Sequence, residues 1–328
     1  MLSGLMFALA AGLMWGLVFV APLLLPDYPA VLLTAGRYLA FGLIALPLAL
    51  IDRRELARLT REDWWTACRL SAIGNFLYYL TLSAAIQRAG GPLPTMIIGT
   101  LPVVIAVCAN QRNAARDGHF RWRQLAPPLL LIAAGIGCVN RVEQTGLGEG
   151  ELGRYLQGAG LALIALACWT WYPIRNADWL RAHADRPPRA WATAQGLVTL
   201  PMAVLAYALM AAAQGLGLSA LPPGFDFPLG SRPWAFVGLM LAVGLFASWL
   251  GTMCWNEASQ RLPTTLAGQL IVFETLSALV YGQWHRGGWP APLTVIGAGL
   301  LIAGVSWALR LKPVPPTNVG AVQVNAGQ

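Results

Sequence analysis

Two charged residues lie deep inside long apolar stretches of the chain, where charge is rare. Glu274 is about ten residues into the apolar run 264–284, and Arg37 is about seven residues into the run 30–50. An ionised carboxylate far from water is costly, so such a residue normally faces a polar partner, a cavity or a ligand. Three roles are open for Glu274: a hydrogen-bonded structural acid, a proton carrier, or a direct contact to a substrate.

Arg37 has two roles open to it. At 1.5 Å per helical residue it lies roughly 10 Å from the nearer end of its run, close enough to extend outward or to pair structurally. Alternatively, its forked guanidinium binds the carboxylate of a substrate through two parallel hydrogen bonds. The sequence leaves open whether Arg37 and Glu274 pair with each other.

Polar and aromatic side chains recur at similar depth in other apolar runs. Asn75 and the pair Tyr78–Tyr79 are one helical turn apart and therefore share a face, which favours the lining of a cavity over a position at the membrane surface. Trp64, Trp65, Trp234 and Trp284 lie near the ends of runs, which is typical of interfacial anchors. The sequence predicts a substrate site formed by nine side chains: Trp15, Arg37, Asn75, Tyr78, Tyr79, Trp169, Tyr172, Trp249 and Glu274.

The elements that carry these residues are too apolar for a soluble domain. Hydrophobic residues make up 57% of the 328 residues and charged residues only 11%, a balance that a lipid bilayer accommodates. In a bilayer the spans must be helices or a closed barrel, and runs of about 20 residues that are apolar on all faces favour helices. The predicted spans are 3–21, 30–50, 65–87, 93–110, 125–140, 156–175, 190–212, 234–256, 264–284 and 292–310.

Basic residues concentrate on alternate connections between these spans. Fifteen lie on one side and five on the other, so the positive-inside rule predicts that both termini are cytoplasmic. This distribution explains the net charge of +8 better than nucleic-acid binding does. The first side holds Arg53, Arg54, Arg58, Arg61, Arg112, Arg116, Arg121, Arg123, Arg175, Arg181, Arg186, Arg189, Arg261, Arg310 and Lys312, and the second holds Arg88, Arg141, Arg154, Arg232 and Arg286.

The two halves of the chain resemble each other faintly. Trp15 aligns with Trp169, the segment 85–88 (AIQR) with 258–261 (ASQR), and Pro-Thr follows both segments. Five spans per half is an odd number, so the second half must enter the membrane from the opposite side. The predicted fold is an all-α membrane protein with ten transmembrane helices in two inverted-topology repeats, against the alternative of ten helices without symmetry. The predicted boundaries are 1–145, 154–312 and a disordered cytoplasmic tail, 313–328.

Several of these residues also carry a family resemblance. Trp15-Gly16, Arg37-Tyr38, the Asn/Tyr-rich third span before a Pro-rich fourth, and the ninth-span segment IVFETLSALVYG resemble the drug/metabolite transporter superfamily, in particular the EamA-type ten-helix permeases. Many relatives have Glu-Pro in the ninth span where this chain has Glu274-Thr275. The resemblance covers roughly residues 3–311. It implies a bacterial inner-membrane transporter, with amino-acid export as one role found in the family.

Enzyme motifs and Cys/His metal clusters are not present in the sequence, so we predict neither an enzyme nor a cofactor or metal. The five cysteines are interpreted as small core residues. Small-residue pairs, Ala133/Gly137 and Gly299/Ala303, indicate close helix packing or a dimer face, so a monomer and a homodimer both stay open.

The function predicted from these patterns is a secondary transporter that exports small metabolites, with amino acids as the leading substrate. Its expected partners are that small molecule and the lipid bilayer, without nucleic acid. The first alternative is a multidrug efflux permease for lipophilic cations. A second alternative, from a different class, is a membrane-embedded sensor or assembly subunit that transports nothing.

Overall fold

The computed structural model describes residues 1–112, 120–144, 152–218, 221–222, 224–308, 310–312 and 314, and the elements within this part of the chain are helices. Ten long helical runs coincide with the ten predicted spans, which confirms the all-helical prediction. Their bounds are α1 Leu2–Leu24, α2 Ala30–Ile51, α3 61–89, α4 92–112, α5 Trp122–Gln144, α6 Leu152–Ala182, α7 Pro188–Gly215, α8 Pro233–Arg261, α9 Thr264–Arg286 and α10 Pro292–Ala308.

Seven of these helices are long and apolar enough to cross a membrane: α1, α2, α4, α6, α7, α8 and α9. Helix α10 is also apolar but shorter, at 17 residues. For α3, α5 and α10 a membrane-spanning position stays a prediction. The predicted disordered tail (313–328) lies outside the described residues, apart from Val314.

Three of the helices are interrupted in the middle. Helix α1 is divided at Gly16, α4 at Thr100 and α9 at Ile271. The break in α4 lies just before Pro102, whose ring excludes a backbone N–H and crowds the preceding turn. Helix α6, in contrast, continues through Pro173 without a break.

Two further helices contain a widened π-helical segment. In α3 it covers Ser71–Leu77 and in α8 it covers Val243–Leu250. Such segments shift the helix face by one residue and are frequent at functional sites. Both of them carry side chains that were predicted as site residues, Asn75 in α3 and Trp249 in α8.

Five pairs of helices pack extensively against each other: α1 with α8, α2 with α7, α3 with α6, α4 with α9, and α5 with α10; α1 also packs extensively on α9. Each pair joins a helix from the first half of the chain to one from the second. The core therefore lies between the halves rather than within either of them. Small residues permit the close approach, as at Gly42, where a Cβ would lie 2.6 Å from the Cβ of Leu200.

The contact between α5 and α10 uses different small residues from those predicted. A Cβ on Gly135 would lie 2.6 Å from the carbonyl oxygen of Gly297, and a Cβ on Gly304 would lie 2.8 Å from that of Pro128. The predicted pairs Ala133/Gly137 and Gly299/Ala303 are exposed instead. Two residues along a helix turn the side chain by about 200°, so Gly135 faces α10 while its neighbours at 133 and 137 face outward. As a description of packing within the chain, that prediction was wrong.

The cysteines are all free in this structure. Cys168 and Cys254 are buried, as expected of small core residues, and Cys68 and Cys138 are half-buried. Cys108 is exposed, so its interpretation as a core residue was wrong. In an apolar helix such as α4, an exposed side chain faces the lipid, which tolerates a small apolar thiol as readily as a core does.

Candidate functional site

Glu274 lies at the centre of the bundle, three residues after the break in α9. Its side chain is 1% exposed. One carboxylate oxygen accepts a hydrogen bond from the hydroxyl of Tyr78 at 3.2 Å, and the other accepts one from the indole N–H of Trp169 at 3.0 Å. The two donors come from α3 and α6, so the carboxylate ties three helices and both halves of the chain together.

Stacked aromatic rings surround this carboxylate. The ring of Trp169 stacks on Tyr78 at 4.5 Å and on Tyr172 at 5.1 Å between centroids, and its edge meets Trp15 at 5.0 Å. Aromatic pairs at these separations stabilise one another by about 0.5–1.5 kcal/mol. We call Trp15, Tyr78, Trp169, Tyr172 and Glu274 the Glu274 cluster. In this conformation its rings fill the centre of the bundle.

Glycines bring the helices close enough to form the cluster. On α1, a Cβ at Gly12 would lie 3.0 Å from the backbone nitrogen of Glu274, and one at Gly16 would lie 2.5 Å from the Cβ of Ser277. In the π-helical segment of α3, a Cβ at Gly74 would overlap the ring of Tyr172. Larger residues at these positions would push α1 or α6 away from the carboxylate.

Arg37 forms a second buried group beside the first. It is 4% exposed, and its Nε donates a hydrogen bond to the hydroxyl of Ser248 at 2.9 Å. Its guanidinium carbon lies 4.4 Å from the ring centroid of Tyr79 and 5.1 Å from that of Tyr38. Cations over aromatic faces are favourable, by about 2 kcal/mol when water is excluded. We call Arg37, Tyr38, Tyr79 and Ser248 the Arg37 cluster.

Buried hydrogen-bond donors of the Arg37 cluster and of nearby Asn75 in α3 have free capacity. Nη1 of Arg37 and Nδ2 of Asn75 are buried and have no hydrogen-bond partner among the described residues. Arg37 is within electrostatic range of Glu274, yet it contacts Ser248 and two tyrosine rings rather than that carboxylate. A buried donor without an acceptor costs about 1–3 kcal/mol, so these two groups favour a guest that carries acceptor oxygens.

A chain of amide side chains leads from the Glu274 cluster toward one end of the bundle. The hydroxyl of Tyr172 donates to Gln195 at 2.8 Å, Gln195 donates to Asn176 at 3.2 Å, and Asn176 donates to Asn256 at 2.7 Å. This series of hydrogen bonds ends near the connections 52–60, 183–187 and 262–263. We call this end of the bundle the basic end. The other end of the bundle, where α9 stops at Arg286, is called the opposite end.

The basic end buries two acids with a full set of partners. Both the Nε and the Nη2 of Arg189 donate to one oxygen of Asp52, at 3.0 and 2.6 Å, and Thr193 donates to the other at 2.8 Å. Asp63 accepts from the indole of Trp179 at 2.8 Å and from the backbone N–H of Thr60 at 2.8 Å. The second contact is half of a capping box at the start of α3.

These contacts set the acidity of Asp63. Burial raises the pKa of this carboxyl, but hydrogen bonds from Thr60 and Trp179 stabilise its ionised form by more, and nearby His183 adds to them. The net effect holds the pKa of Asp63 below its ordinary value. Asp63 therefore stays charged at neutral pH, as its hydrogen bonds require.

The structure places all nine predicted site residues in the interior, but not in one group. Five of them form the Glu274 cluster, two belong to the Arg37 cluster, and Asn75 lies one turn before Tyr79. Trp249 differs, because its indole donates to Thr193 at 3.4 Å and so belongs with Asp52 at the basic end.

The structure adds three residues that the predicted set of nine did not include. Tyr38 and Ser248 hold the guanidinium of Arg37, and Trp255 lies 5.2 Å from Trp15. Tyr38 follows Arg37 directly and was available as a signal. Ser248 lies in a different half of the chain, and no spacing in the sequence connects it to Arg37.

Comparisons with known proteins identify the family. The model of the EamA-like transporter family matches residues 2–111. The Escherichia coli (strain K12) inner membrane protein YtfF is 50% identical over 317 residues, which cover 96% of this chain and 98% of that protein. This chain belongs to the EamA-like transporter family. It is therefore a membrane transporter of the drug/metabolite transporter superfamily, as the residue motifs indicated.

A solved crystal structure shares the fold of this transporter. It superposes with a TM-score of 0.67, covering 93% of this chain and 97% of its own, at 17% sequence identity. At that identity the likeness concerns the fold alone.

Proposed function

We propose that this EamA-like transporter is a secondary transporter of the bacterial inner membrane that exports small zwitterionic metabolites, with neutral amino acids as the leading class. The location follows that of the similar protein from Escherichia coli, which is described as an inner membrane protein. The substrate class is inferred from the chemistry of the buried site.

The architecture that supports transport is an inverted repeat of two five-helix halves. In such a repeat, each helix of the first half is equivalent to the helix five places later, so that α1 matches α6 and α3 matches α8. Exchanging equivalent helices converts the pair α1–α8 into the pair α6–α3. The same exchange leaves the pairs α2–α7, α4–α9 and α5–α10 unchanged. These five pairs support the proposed repeat, because a two-fold axis between the halves would produce such a pattern. The π-helical segments of α3 and α8 also occupy equivalent positions. Gln87-Arg88 aligns with Gln260-Arg261 at an offset of 173 residues, and the same offset places the last residue of the first segment, Leu77, on the last residue of the second, Leu250.

The substrate class rests on one observation: two opposite charges are buried near each other without forming a pair. The free Nη1 of Arg37 and Nδ2 of Asn75 suit a carboxylate, which a guanidinium binds through parallel hydrogen bonds. Glu274 supplies the negative charge that an ammonium group requires. A zwitterion fits both, provided that the stacked rings of the Glu274 cluster separate to admit it.

Lipophilic cations fit the same site less well. The aromatic rings and Glu274 suit a cation, but the guanidinium of Arg37 lies within electrostatic range of that carboxylate and would repel a second positive charge. A cation would also leave the donors of Arg37 and Asn75 without acceptors. The observed arrangement therefore favours a ligand with both charges.

Flux through the purified protein in proteoliposomes tests this proposal. We expect exchange of radiolabelled neutral amino acids and little flux of a lipophilic cation such as tetraphenylphosphonium. Arg37→Gln should reduce amino-acid flux by about 30-fold or more, since removing one partner of a buried charged pair costs at least about 2 kcal/mol. Arg88→Gln, at an exposed arginine, is the matched control. Wild-type flux in Arg37→Gln, or cation flux alone, would contradict the zwitterion proposal.

A further inference from the structure

A narrow crevice opens beside the Glu274 cluster on the side of the opposite end. It has a volume of about 210 Å³ and lies between the second half of α1, the start of α4 and the last turns of α9. Its walls include Phe19, Gly91, Thr95, Ala278, Gly282 and His285. His285 is exposed and Ala278 is buried, so the crevice runs from the surface of the bundle into its interior.

The crevice follows the face of α9 that carries Glu274. Ala278, Gly282 and His285 come four, eight and eleven residues after Glu274, which are close to whole helical turns. The innermost of them, Ala278, is one turn from the carboxylate. At 1.5 Å per residue, roughly 16 Å of helix separates Glu274 from His285. The crevice extends along this length from His285 to Ala278, so that only the turn between Ala278 and Glu274 lies outside it.

Phe19 closes the inner end of the crevice. Its side chain is 3% exposed and it lies one turn after Trp15, whose ring meets Trp169, a donor to Glu274. Removing the phenyl ring would therefore extend the crevice toward the Glu274 cluster.

The segment that carries Phe19 is suited to move. It is the short helix Leu17–Leu24, separated from the first half of α1 at Gly16 and containing Pro22, which cannot donate a backbone hydrogen bond. Across the break, the N–H of Phe19 bonds to the carbonyl of Gly16 at 3.4 Å, which is longer than an ordinary helical bond. Interrupted helices of this kind are frequent around transporter sites.

We propose that this crevice is the aqueous entrance to Glu274 from the opposite end, and that Phe19 is its plug. Water and hydrated protons are the species it admits, because its volume of about 210 Å³ suits small molecules. The proposal rests on the transport function proposed above. It assigns roles to Phe19, Ala278 and Gly282, which are not part of the predicted substrate site.

A second groove on the far side of α9 provides a contrast. It is larger, about 720 Å³, and lies between α9 and α10. Its wall includes Val280, Trp284 and Val295, which are 60%, 85% and 56% exposed. This groove faces outward from the bundle; it shares Leu279 and Arg286 with the crevice but contains none of Ala278, Gly282 and His285. Lipid chains suit it better than water does.

Thiol accessibility distinguishes an aqueous entrance from a lipid-filled or closed one. Gly282→Cys, Ala278→Cys and a lipid-facing control, Leu13→Cys, are treated in sealed membrane vesicles of each orientation with a membrane-impermeant, positively charged methanethiosulfonate. Peptide mass spectrometry locates the label, so the five native cysteines do not interfere. Gly288→Cys, in the exposed turn after α9, identifies the orientation in which the opposite end is reachable.

We expect Gly282→Cys to react in the same orientation as Gly288→Cys, Ala278→Cys to react more slowly, and Leu13→Cys to stay unlabelled. Adding Phe19→Ala should accelerate the labelling of Ala278→Cys by about tenfold, which corresponds to a shift of about 1.4 kcal/mol in the opening equilibrium. Failure of Gly282→Cys to react in the orientation that labels Gly288→Cys would overturn the entrance. An unchanged rate at Ala278→Cys would overturn the role of Phe19.

Filling the crevice gives a second, functional test. A Cβ at Gly282 or at Gly238 meets no atom within 4 Å, so a larger side chain can start from either position without a clash. Gly282→Leu narrows the crevice, while Gly238→Leu adds the same volume on an exposed face of α8. We expect at least a tenfold loss of pH-driven flux in the first and wild-type flux in the second, at equal expression; equal flux in both would overturn the proposal.

These outcomes separate the entrance from the substrate proposal. Labelling of Gly282→Cys does not depend on which molecule is carried. If Gly282→Cys reacts but amino acids are not transported, the entrance stands and the substrate assignment fails. If amino acids are transported while Gly282→Cys is unreactive, the substrate assignment stands and the entrance proposal fails.

Discussion

The centre of the bundle and its basic end both bury carboxylates, but they satisfy them differently. At the basic end, Asp52 receives three hydrogen bonds, two of them from Arg189, and Asp63 is held by Thr60 and Trp179. At the centre, Glu274 has only two donors, both of them neutral. Full pairing suits a permanent contact between the halves of the chain. Incomplete pairing suits a site that exchanges partners.

This difference separates two kinds of mutational effect. A buried charge with all its partners contributes to stability, and removing one partner leaves the other exposed to the full desolvation cost. A site that must release its ligand contributes to transport instead. Variants at the centre are therefore expected to lose flux at nearly unchanged stability, and variants at the basic end to lose stability at nearly unchanged substrate preference.

The largest effect is expected at Glu274. Glu274→Gln keeps an oxygen for one of the two donors but cannot exchange a proton, so flux should lose its dependence on the pH gradient completely. Counterflow, which needs no gradient, should retain a measurable rate. The measurement is uptake into proteoliposomes with and without an imposed pH difference. A pH-driven rate that survives the substitution would show that the carboxylate carries no proton.

A smaller effect is expected when a larger residue on α1 pushes α1 and α9 apart beside the Glu274 cluster. Gly16→Ala adds a methyl group that would lie 2.5 Å from the Cβ of Ser277, and overpacking of this kind costs about 1–3 kcal/mol. We expect a lower melting temperature in detergent and reduced flux together. Gly137→Ala is the matched control, because a Cβ there meets no atom within 4 Å. Equal melting temperatures for the two variants would show that α1 and α9 are not held at this spacing.

A still smaller effect is expected when the hydrogen bond to Ser248 that positions the guanidinium of Arg37 is removed. Ser248→Ala removes the acceptor of Arg37 Nε while leaving both tyrosine rings, so we expect KM for an amino acid to rise by about three- to tenfold, the loss of about one hydrogen bond. The maximal rate and the melting temperature should change little. Ser248→Thr, which keeps the hydroxyl, should restore KM. A fall in maximal rate without a change in KM would argue against a positioning role.

The sequence predicted the helices far better than the groups they form. Apolar runs of about 20 residues are a strong signal, and helical runs occur at all ten predicted ranges. Glu274 and Arg37 were recognisable because charge is costly at that depth. Tyr78 and Trp169 were predicted in the same site as Glu274, but the sequence did not show which side chain bonds to which, since Ser248 reaches Arg37 and Trp169 reaches Glu274 only through contacts between distant parts of the chain.

The sequence also did not predict which face of a helix packs against its neighbour. Ala133/Gly137 and Gly135 offer equally small residues, and only the packing of α5 on α10 decides that Gly135 is the contact. Trp249 lies within a π-helical segment, and its indole donates to Thr193, which in turn donates to Asp52. A 3.6-residue periodicity does not predict the helix face in a segment that departs from that period.

The smallest effect is expected at the basic end, where Asp63→Asn tests the structural role of a fully paired acid. The amide keeps an acceptor for Trp179 but loses the acceptor for Thr60, so the capping box at the start of α3 opens, at a cost of about 0.5–2 kcal/mol. Because hydrogen bonds hold the folded-state pKa of Asp63 below its ordinary value of 3.8, the wild-type advantage should be complete at neutral pH and should shrink as the pH falls below that value. The measurement is the melting temperature of both proteins in detergent between pH 7 and pH 3. A difference that grows toward acid pH would contradict the assignment, and so would a variant that changes amino-acid preference while melting like the wild type.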